Sequence, residues 1–297
     1  MLRGTKLNDV VLVFNVKTFS LSLKDMYDFV DTGLGNVQPT LIIFQGYEQL
    51  SYYIGRNSLS KYPVIQLKNE PIGQTMAYLK LRIKTQLKTD HTVNNVVGII
   101  EGKQKDKYVL LTAHYDGLGM FGDIVFPGAQ DNAIGVATIL DLASYFAKSE
   151  NKPLYSLVFI AFAGEEIGLL GSKYFVDNPI IPLEKINLVL NLDLVGSGST
   201  GLQVINGNAN NTERIFNAIE KINNEELYFY KLIASEHRCI GNHCPFVVAN
   251  VPALFLMTMG AEHKWSHSIY DSYENLPFTK YDALFKLLRD FITTYKY

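Results

Sequence analysis

Ser156-Leu-Val-Phe-Ile-Ala-Phe-Ala-Gly-Glu-Glu-Ile-Gly168 decides the fold class of this chain. Its first eight residues are almost wholly apolar, which predicts a central strand covered on both faces instead of an alternating surface strand. Two adjacent carboxylates, Glu165 and Glu166, leave that strand directly, between Gly164 and Gly168. Charge at the end of a buried strand is costly unless it is paired or held against a cation. A solvated loop tip explains a Glu-Glu pair but not its emergence straight from a core strand.

Runs of the same kind recur on both sides. Asn94 to Ile100, Tyr108 to Ala113, Ile186 to Leu192 and Ala253 to Met257 read as strands. Between them, Asp131 opens a helix in which Ala133, Val136, Ala137, Leu140, Ala143 and Ala147 recur at helical spacing, and further helices are predicted at Asn211–Asn223 and Thr279–Tyr295. Buried strands alternating with helices predict an α/β domain over residues 91–297, with a mixed, mostly parallel central sheet flanked by helices. Ligands in such sheets collect at the carboxyl ends of the strands.

Residues 1–90 follow another pattern, a smaller α+β region. Short strand-like runs (Val10 to Phe14, Thr40 to Phe44, Tyr62 to Leu67, Leu79 to Ile83) surround a helical stretch, Leu23 to Thr32, and Lys88-Thr-Asp-His-Thr links the two regions.

With 47% hydrophobic and 19% charged residues over 297 positions, the chain has ordinary globular composition. A net charge of -2 offers no basic face for nucleic acid. No apolar run reaches membrane-spanning length. The first residues hold too short an apolar stretch for a signal peptide, so the chain is cytoplasmic, follows a removed leader, or lies within a longer product. Cys239 and Cys244 are free thiols, a small-loop disulfide, or part of a His/Cys metal site, although two sulfurs cannot close a structural zinc site without further ligands.

The strand ends carry the chemistry. His114, in His114-Tyr-Asp116, closes one strand, and a carboxylate two residues on suits the second ring nitrogen of a metal-binding imidazole. Asp131 lies in Pro127-Gly-Ala-Gln-Asp-Asn-Ala-Ile-Gly135. A helix cap accounts for an aspartate there but does not require glycine on both sides. Asp193 ends the run Leu190-Asn-Leu-Asp193, and His267 stands in Trp265-Ser-His-Ser-Ile-Tyr-Asp271 with Asp271 as its expected partner. Two histidines and three carboxylates are a donor set for two divalent ions sharing one site, with Glu165 adjacent as a base.

These motifs (Ala-His-Tyr-Asp, Asp-Asn-Ala, Gly-Glu-Glu, Asn-Leu-Asp and His-Ser-x-x-Asp) resemble those of the zinc aminopeptidase family that includes bacterial leucyl aminopeptidases and glutamate carboxypeptidase. The resemblance covers residues 94–297. It implies a zinc-exopeptidase fold and two Zn2+ per chain, although other divalent metals suit the same donors. One ion would be held by His114 and Asp193, the other by Glu166 and His267, with Asp131 bridging and Glu165 as general base. It further implies a cis peptide at Asp131–Asn132, a peptide substrate cleaved at its N-terminal bond, and an extracytoplasmic or secreted setting. Residues 1–90 resemble a protease-associated region. Where the family shows Ser-Asp-His before a phenylalanine, this chain has Gly241-Asn242-His243 and then Phe246, a departure that bears on substrate preference. Asn242, His243, Phe246 and Tyr270, with Met257 and Trp265, are therefore expected around the substrate pocket, and Tyr270 as a donor to the developing oxyanion. Two rival readings are a single-zinc glutaminyl cyclase-like transferase and a catalytically inactive binding module. Asp131-Asn-Ala-Ile-Gly135 favours the two-metal peptidase over the first, and the full set of ligands opposes the second.

Overall fold

The structure is a computed structural model that describes residues 7–16, 34, 37–47, 62–68, 80–82, 86 and 88–296. Its two compact units are Met1–His91 and Thr92–Tyr297.

In the smaller unit, β1 (Leu7–Asn15), β2 (Val37–Tyr47) and β3 (Val64–Lys68) form a parallel sheet with β2 in the middle. Ile42 and Phe44 are buried on one face of β2, with Phe14, Tyr62 and Val64 packed against them. The expected helix from Leu23 to Thr32 lies outside the described residues, as do Leu79 and Ile83. Between the latter, Lys80, Leu81 and Arg82 form no strand, and all three are exposed, so no apolar face drives one into a sheet.

The larger unit contains β4 (Val96–Ile100), β5 (Gln104–His114), β6 (Gly119–Phe121), β7 (Ile124–Phe126), β8 (Tyr155–Phe162), β9 (Ile186–Leu192), β10 (Gly201–Ile205), β11 (Leu232–Ser235) and β12 (Ala253–Met259). Its helices are α1 (Ile134–Phe146), α2 (Leu170–Asp177), α3 (Glu213–Glu226), α4 (Cys244–Val248) and α5 (Tyr281–Thr294). Seven strands make one sheet in the order β11-β10-β12-β9-β5-β8-β4, and β6 and β7 form a separate hairpin. The pairs are parallel except β10 with β12 and β4 with β8. The chain thus folds as the mixed, mostly parallel α/β sheet flanked by helices that its apolar runs predict.

Strands buried on both faces explain those runs. Along β5 and β8, Val109, Leu111, Leu157 and Phe159 join one core layer with residues of α1, α3 and α5. Leu110, Val158, Ile160 and Phe162 join the other, with Phe175 of α2 and Phe246 of α4. Side chains alternate across a strand, so each strand fills both layers. Helices on both faces leave the strand ends as the open rim. Among the described residues no helix is long and apolar enough to cross a membrane.

Candidate active site

Three neighbouring parallel strands deliver most of the site. His114 is the last residue of β5, Asp193 directly follows β9, and Glu165 and Glu166 follow β8 after Ala163 and Gly164. His267 comes from the loop beyond β12, the parallel neighbour of β9. The chain runs from β5 to β8 on one side and then to β9 on the other, so the carboxyl end of β5 is a switch point where a crevice opens.

Asp131 joins the two halves. His114 Nε2 lies 3.2 Å from Asp131 Oδ1 and 3.6 Å from Asp193 Oδ1. His267 Nε2 lies 3.0 Å from Asp131 Oδ2 and 3.4 Å from Glu166 Oε2. Donors around one four-coordinate zinc, at bonds of about 2.0–2.1 Å, stand about 3.3 Å apart. The four distances bracket that edge. Two donor groups result, His114–Asp131–Asp193 and Asp131–Glu166–His267. His114 Nε2, Asp193 Oδ1 and Glu166 Oε1 are buried without a hydrogen bond, the state of atoms that need a cation to satisfy them. Their nitrogen and oxygen chemistry suits zinc.

The loop bearing Asp131 shows why glycine stands on both sides. A Cβ on Gly128 would meet Asp131 O at 2.6 Å, and one on Gly135 would meet Asn132 Oδ1 at 2.3 Å. The Asp131–Asn132 peptide is cis. Asp131 does not open the helix as its sequence predicts: α1 starts at Ile134, and Asp131 is extended, with φ −126° and ψ 83°. Its amide and that of Gln130 donate to Asp271 Oδ2 and Oδ1, at 3.1 and 2.7 Å, instead of entering a helical turn.

Through those bonds the Asp271 carboxylate holds the Asp131 loop by its backbone. Asp116 behaves in the same way. Its Oδ1 and Oδ2 accept the amides of Glu165 and Glu166 at 3.1 and 3.2 Å. The imidazole of His114 meets the Asp116 backbone carbonyl instead, with Nδ1 3.0 Å away, and Asp116 Oδ1 stands farther, at 3.6 Å. A proton on Nδ1 then leaves the Nε2 lone pair for a ligand.

Glu165 belongs to neither donor group. Burial pushes its carboxyl up to about 8, the charge of His114 pulls down, and Asp193, Glu166 and Asp131 push up further. Burial and Asp131 raise Glu166 to about 7. Burial opposes charge on His267, yet the Asp131 carboxylate lifts it to about 9. All three shifts bind protons more tightly in the folded state, so the stability they contribute is lost as pH rises through the shifted values. Burial raises Asp131, but the neighbouring His114 and His267 imidazoles outweigh it and leave the carboxyl depressed, so its window lies in acid below the usual aspartate range. The expected result is a metal-free protein whose Tm falls by several degrees from about pH 6 to about pH 9. Zinc replaces those protons, so the Tm gain on adding zinc grows over the same range. Thermal scans in chelator and in zinc check both, and a metal-free Tm that rises with pH would contradict the site electrostatics.

The expected pocket residues separate. Trp265 and Tyr270 pair beside His267, with ring centroids 5.0 Å apart and Tyr270 42% exposed. Asn242, His243 and Phe246 are fully buried. Phe246 packs against Phe162 and Phe175 in the core layer beneath α4. Asn242 Oδ1 accepts the Ser172 hydroxyl at 2.8 Å, and His243 lies between His237 and Phe255. Burial and the nearby His237 push His243 down to about 4, which keeps it neutral. Met257 sits within β12, paired with Gln203. Cys239 and Cys244 form a disulfide that closes the loop around Asn242 and His243.

Two elements of the site escape the sequence reading. Ser266 donates its hydroxyl to Asp131 Oδ2 at 2.9 Å, and its place next to His267 was the available signal. The other is the pocket wall: Leu118 and Phe126, at the base of the β6–β7 hairpin, line a pocket with Asp131, Glu166, His267, Ser268 and Asp271.

A model of peptidase family M28 matches residues 95–292. Aminopeptidase YwaD of Bacillus subtilis (strain 168) is 28% identical over 228 residues, 72% of this chain and 47% of that protein. Glutaminyl-peptide cyclotransferase of Bos taurus is 29% identical over 243 residues, 68% of this chain and 66% of that protein. The chain therefore spans about half the length of the first relative and just under two thirds of the second. The structure of BSAP, a zinc aminopeptidase from Bacillus subtilis, shares the fold, with a TM-score of 0.67 at 22% identity over 90% of this chain and 66% of that one.

Proposed function

Because the chain belongs to peptidase family M28, we propose that it is a zinc-dependent exopeptidase hydrolysing the N-terminal peptide bond of peptides. In this reading His114, Asp131 and Asp193 hold one Zn2+, and Asp131, Glu166 and His267 hold a second. The observation that carries the two-ion form is Asp131, whose two carboxylate oxygens face two different imidazoles. When bound, such ions supply Lewis acidity, acidifying a water and polarising the scissile carbonyl.

The chain's own groups do the rest. Glu165, which belongs to neither donor group, takes the proton of the attacking water on its carboxylate and returns it to the leaving amine. Asp116 and Asp271 fix the loops that carry Glu165, Glu166 and Asp131. Trp265 and Tyr270 offer aromatic surface to the N-terminal side chain, and Tyr270 is the proposed donor to the developing oxyanion. The Cys239–Cys244 bond supports an oxidising, extracytoplasmic setting. Residues 1–90 are proposed as a protease-associated region.

The similarity to a glutaminyl-peptide cyclotransferase favours a second reading, a single-zinc cyclase. One preparation separates the two. The peptidase reading expects about two zinc ions per chain by elemental analysis and amine release from aminoacyl amides. One tightly held zinc, with pyroglutamate formed from an N-terminal glutamine, would replace it with the cyclase.

A further inference from the structure

The β6–β7 hairpin is unusual in what it exposes. Met120, Phe121, Ile124 and Val125 are 61%, 59%, 52% and 51% exposed, four large apolar side chains on a two-stranded ribbon. Singly exposed apolar residues are ordinary, but a contiguous group of them marks a binding surface.

The register sorts these side chains by face. Gly119 pairs with Phe126, Met120 with Val125, and Phe121 with Ile124. Residues opposite one another in an antiparallel pair point to the same side, and successive residues alternate. Phe126, Ile124 and Phe121 therefore share one face, and Met120 and Val125 the other. Phe126 lines the pocket that holds Asp131, Glu166 and His267. Ile124 continues that wall outward by about 6.8 Å, the two-residue repeat of an extended strand. A peptide leaving the site in extended form presents alternate side chains at the same interval.

We infer that this face of the hairpin is the rail along which an extended peptide substrate lies beyond the cleaved bond. The substrate class that follows is peptides longer than dipeptides, with apolar side chains at alternate positions after the N-terminal residue. The inference deepens the exopeptidase reading and rests on it. Continuity with the metal-lined pocket points to the substrate as occupant. An apolar rail also discriminates among peptides whose N-terminal residue is the same, because the side chains it reads lie past the bond being cut.

The test uses the zinc-loaded full chain and two hexapeptides with the same N-terminal residue, one carrying leucine and the other serine at the third and fifth positions. For the parent chain kcat/KM favours the leucine peptide. Ile124→Ser lowers that preference by about tenfold, the scale set by an apolar side-chain contact. Met120→Ser, an equally exposed change on the opposite face, leaves the preference as in the parent. Equal preferences in the parent and both variants would overturn the inference, as would an identical loss in both variants. Loss of self-association in Ile124→Ser by sedimentation, with peptide preference intact, would assign the face to a second copy and overturn it too. A binding arm separates this inference from the reading beneath it, with the same peptides, fluorescently labelled, titrated onto zinc-loaded Glu165→Gln chain with and without Ile124→Ser. If the parent turns over neither peptide while Ile124→Ser still removes a binding preference for the leucine peptide, the exopeptidase reading fails and the rail stands. If the parent turns both over and no preference appears in binding, the rail fails alone.

Discussion

Replacing Glu165 by glutamine leaves the zinc content of the chain near that of the parent and lowers kcat by about 10²–10⁴-fold, the share general-base catalysis ordinarily contributes. The shapes of the two side chains are nearly the same, and only the capacity to accept and return a proton is removed. Glu165 and Glu166 are neighbours in sequence, yet only Glu166 belongs to a donor group. The Glu165 carboxyl instead lies within the field of His114, Asp193, Glu166 and Asp131, close enough for all four to move its protonation. The matched change Glu166→Gln supplies the contrast, since it removes a ligand oxygen 3.4 Å from His267 Nε2 and lowers metal content as well as turnover. Elemental analysis beside initial rates decides between the two residues. Should Glu165→Gln shed metal while Glu166→Gln keeps it, the two roles are exchanged.

The second large effect is expected at Asp131. Replacing it with alanine takes one donor from each group at once, so zinc content falls below about one ion per chain and turnover drops to background, because both acidification of water and polarisation of the carbonyl depend on the metals. Asp193→Ala removes a donor from the His114 group alone and leaves the Asp131–Glu166–His267 group whole. The expected pattern is joint loss for Asp131 and loss of one ion for Asp193. Retention of a full ion in Asp131→Ala would show that the two groups bind independently and that the carboxylate is not shared.

The sheet could be read from the sequence because its strands are buried on both faces and so appear as unbroken apolar runs. Most donors could be read for a related reason, since His114, Glu166 and Asp193 end or closely follow such runs, where a polar group is conspicuous, whereas Asp131 and His267 lie in loops and were read from their motifs. Direction was harder to read. Asp116 and Asp271 stand at the right spacing to support the site, but spacing does not reveal which backbone amides lack partners, and both carboxylates accept backbone amides of the site loops. The burial of Asn242, His243 and Phe246 was not legible, because a five-residue helix has no periodicity from which to infer the side it buries. The hairpin went unread because its three-residue strands are too short for any pattern to stand out.

The bonds from Asp116 and Asp271 to four backbone amides have a consequence of their own. They consist of protein atoms alone, so they persist when the ions leave. Metal departure then resembles removing a tool from a fitted case: the slots keep their shape, and a returning ion finds them in register. If the chain acts as the proposed zinc exopeptidase, a setting where free zinc rises and falls is expected to switch it off by scarcity and restore it by supply, without new synthesis.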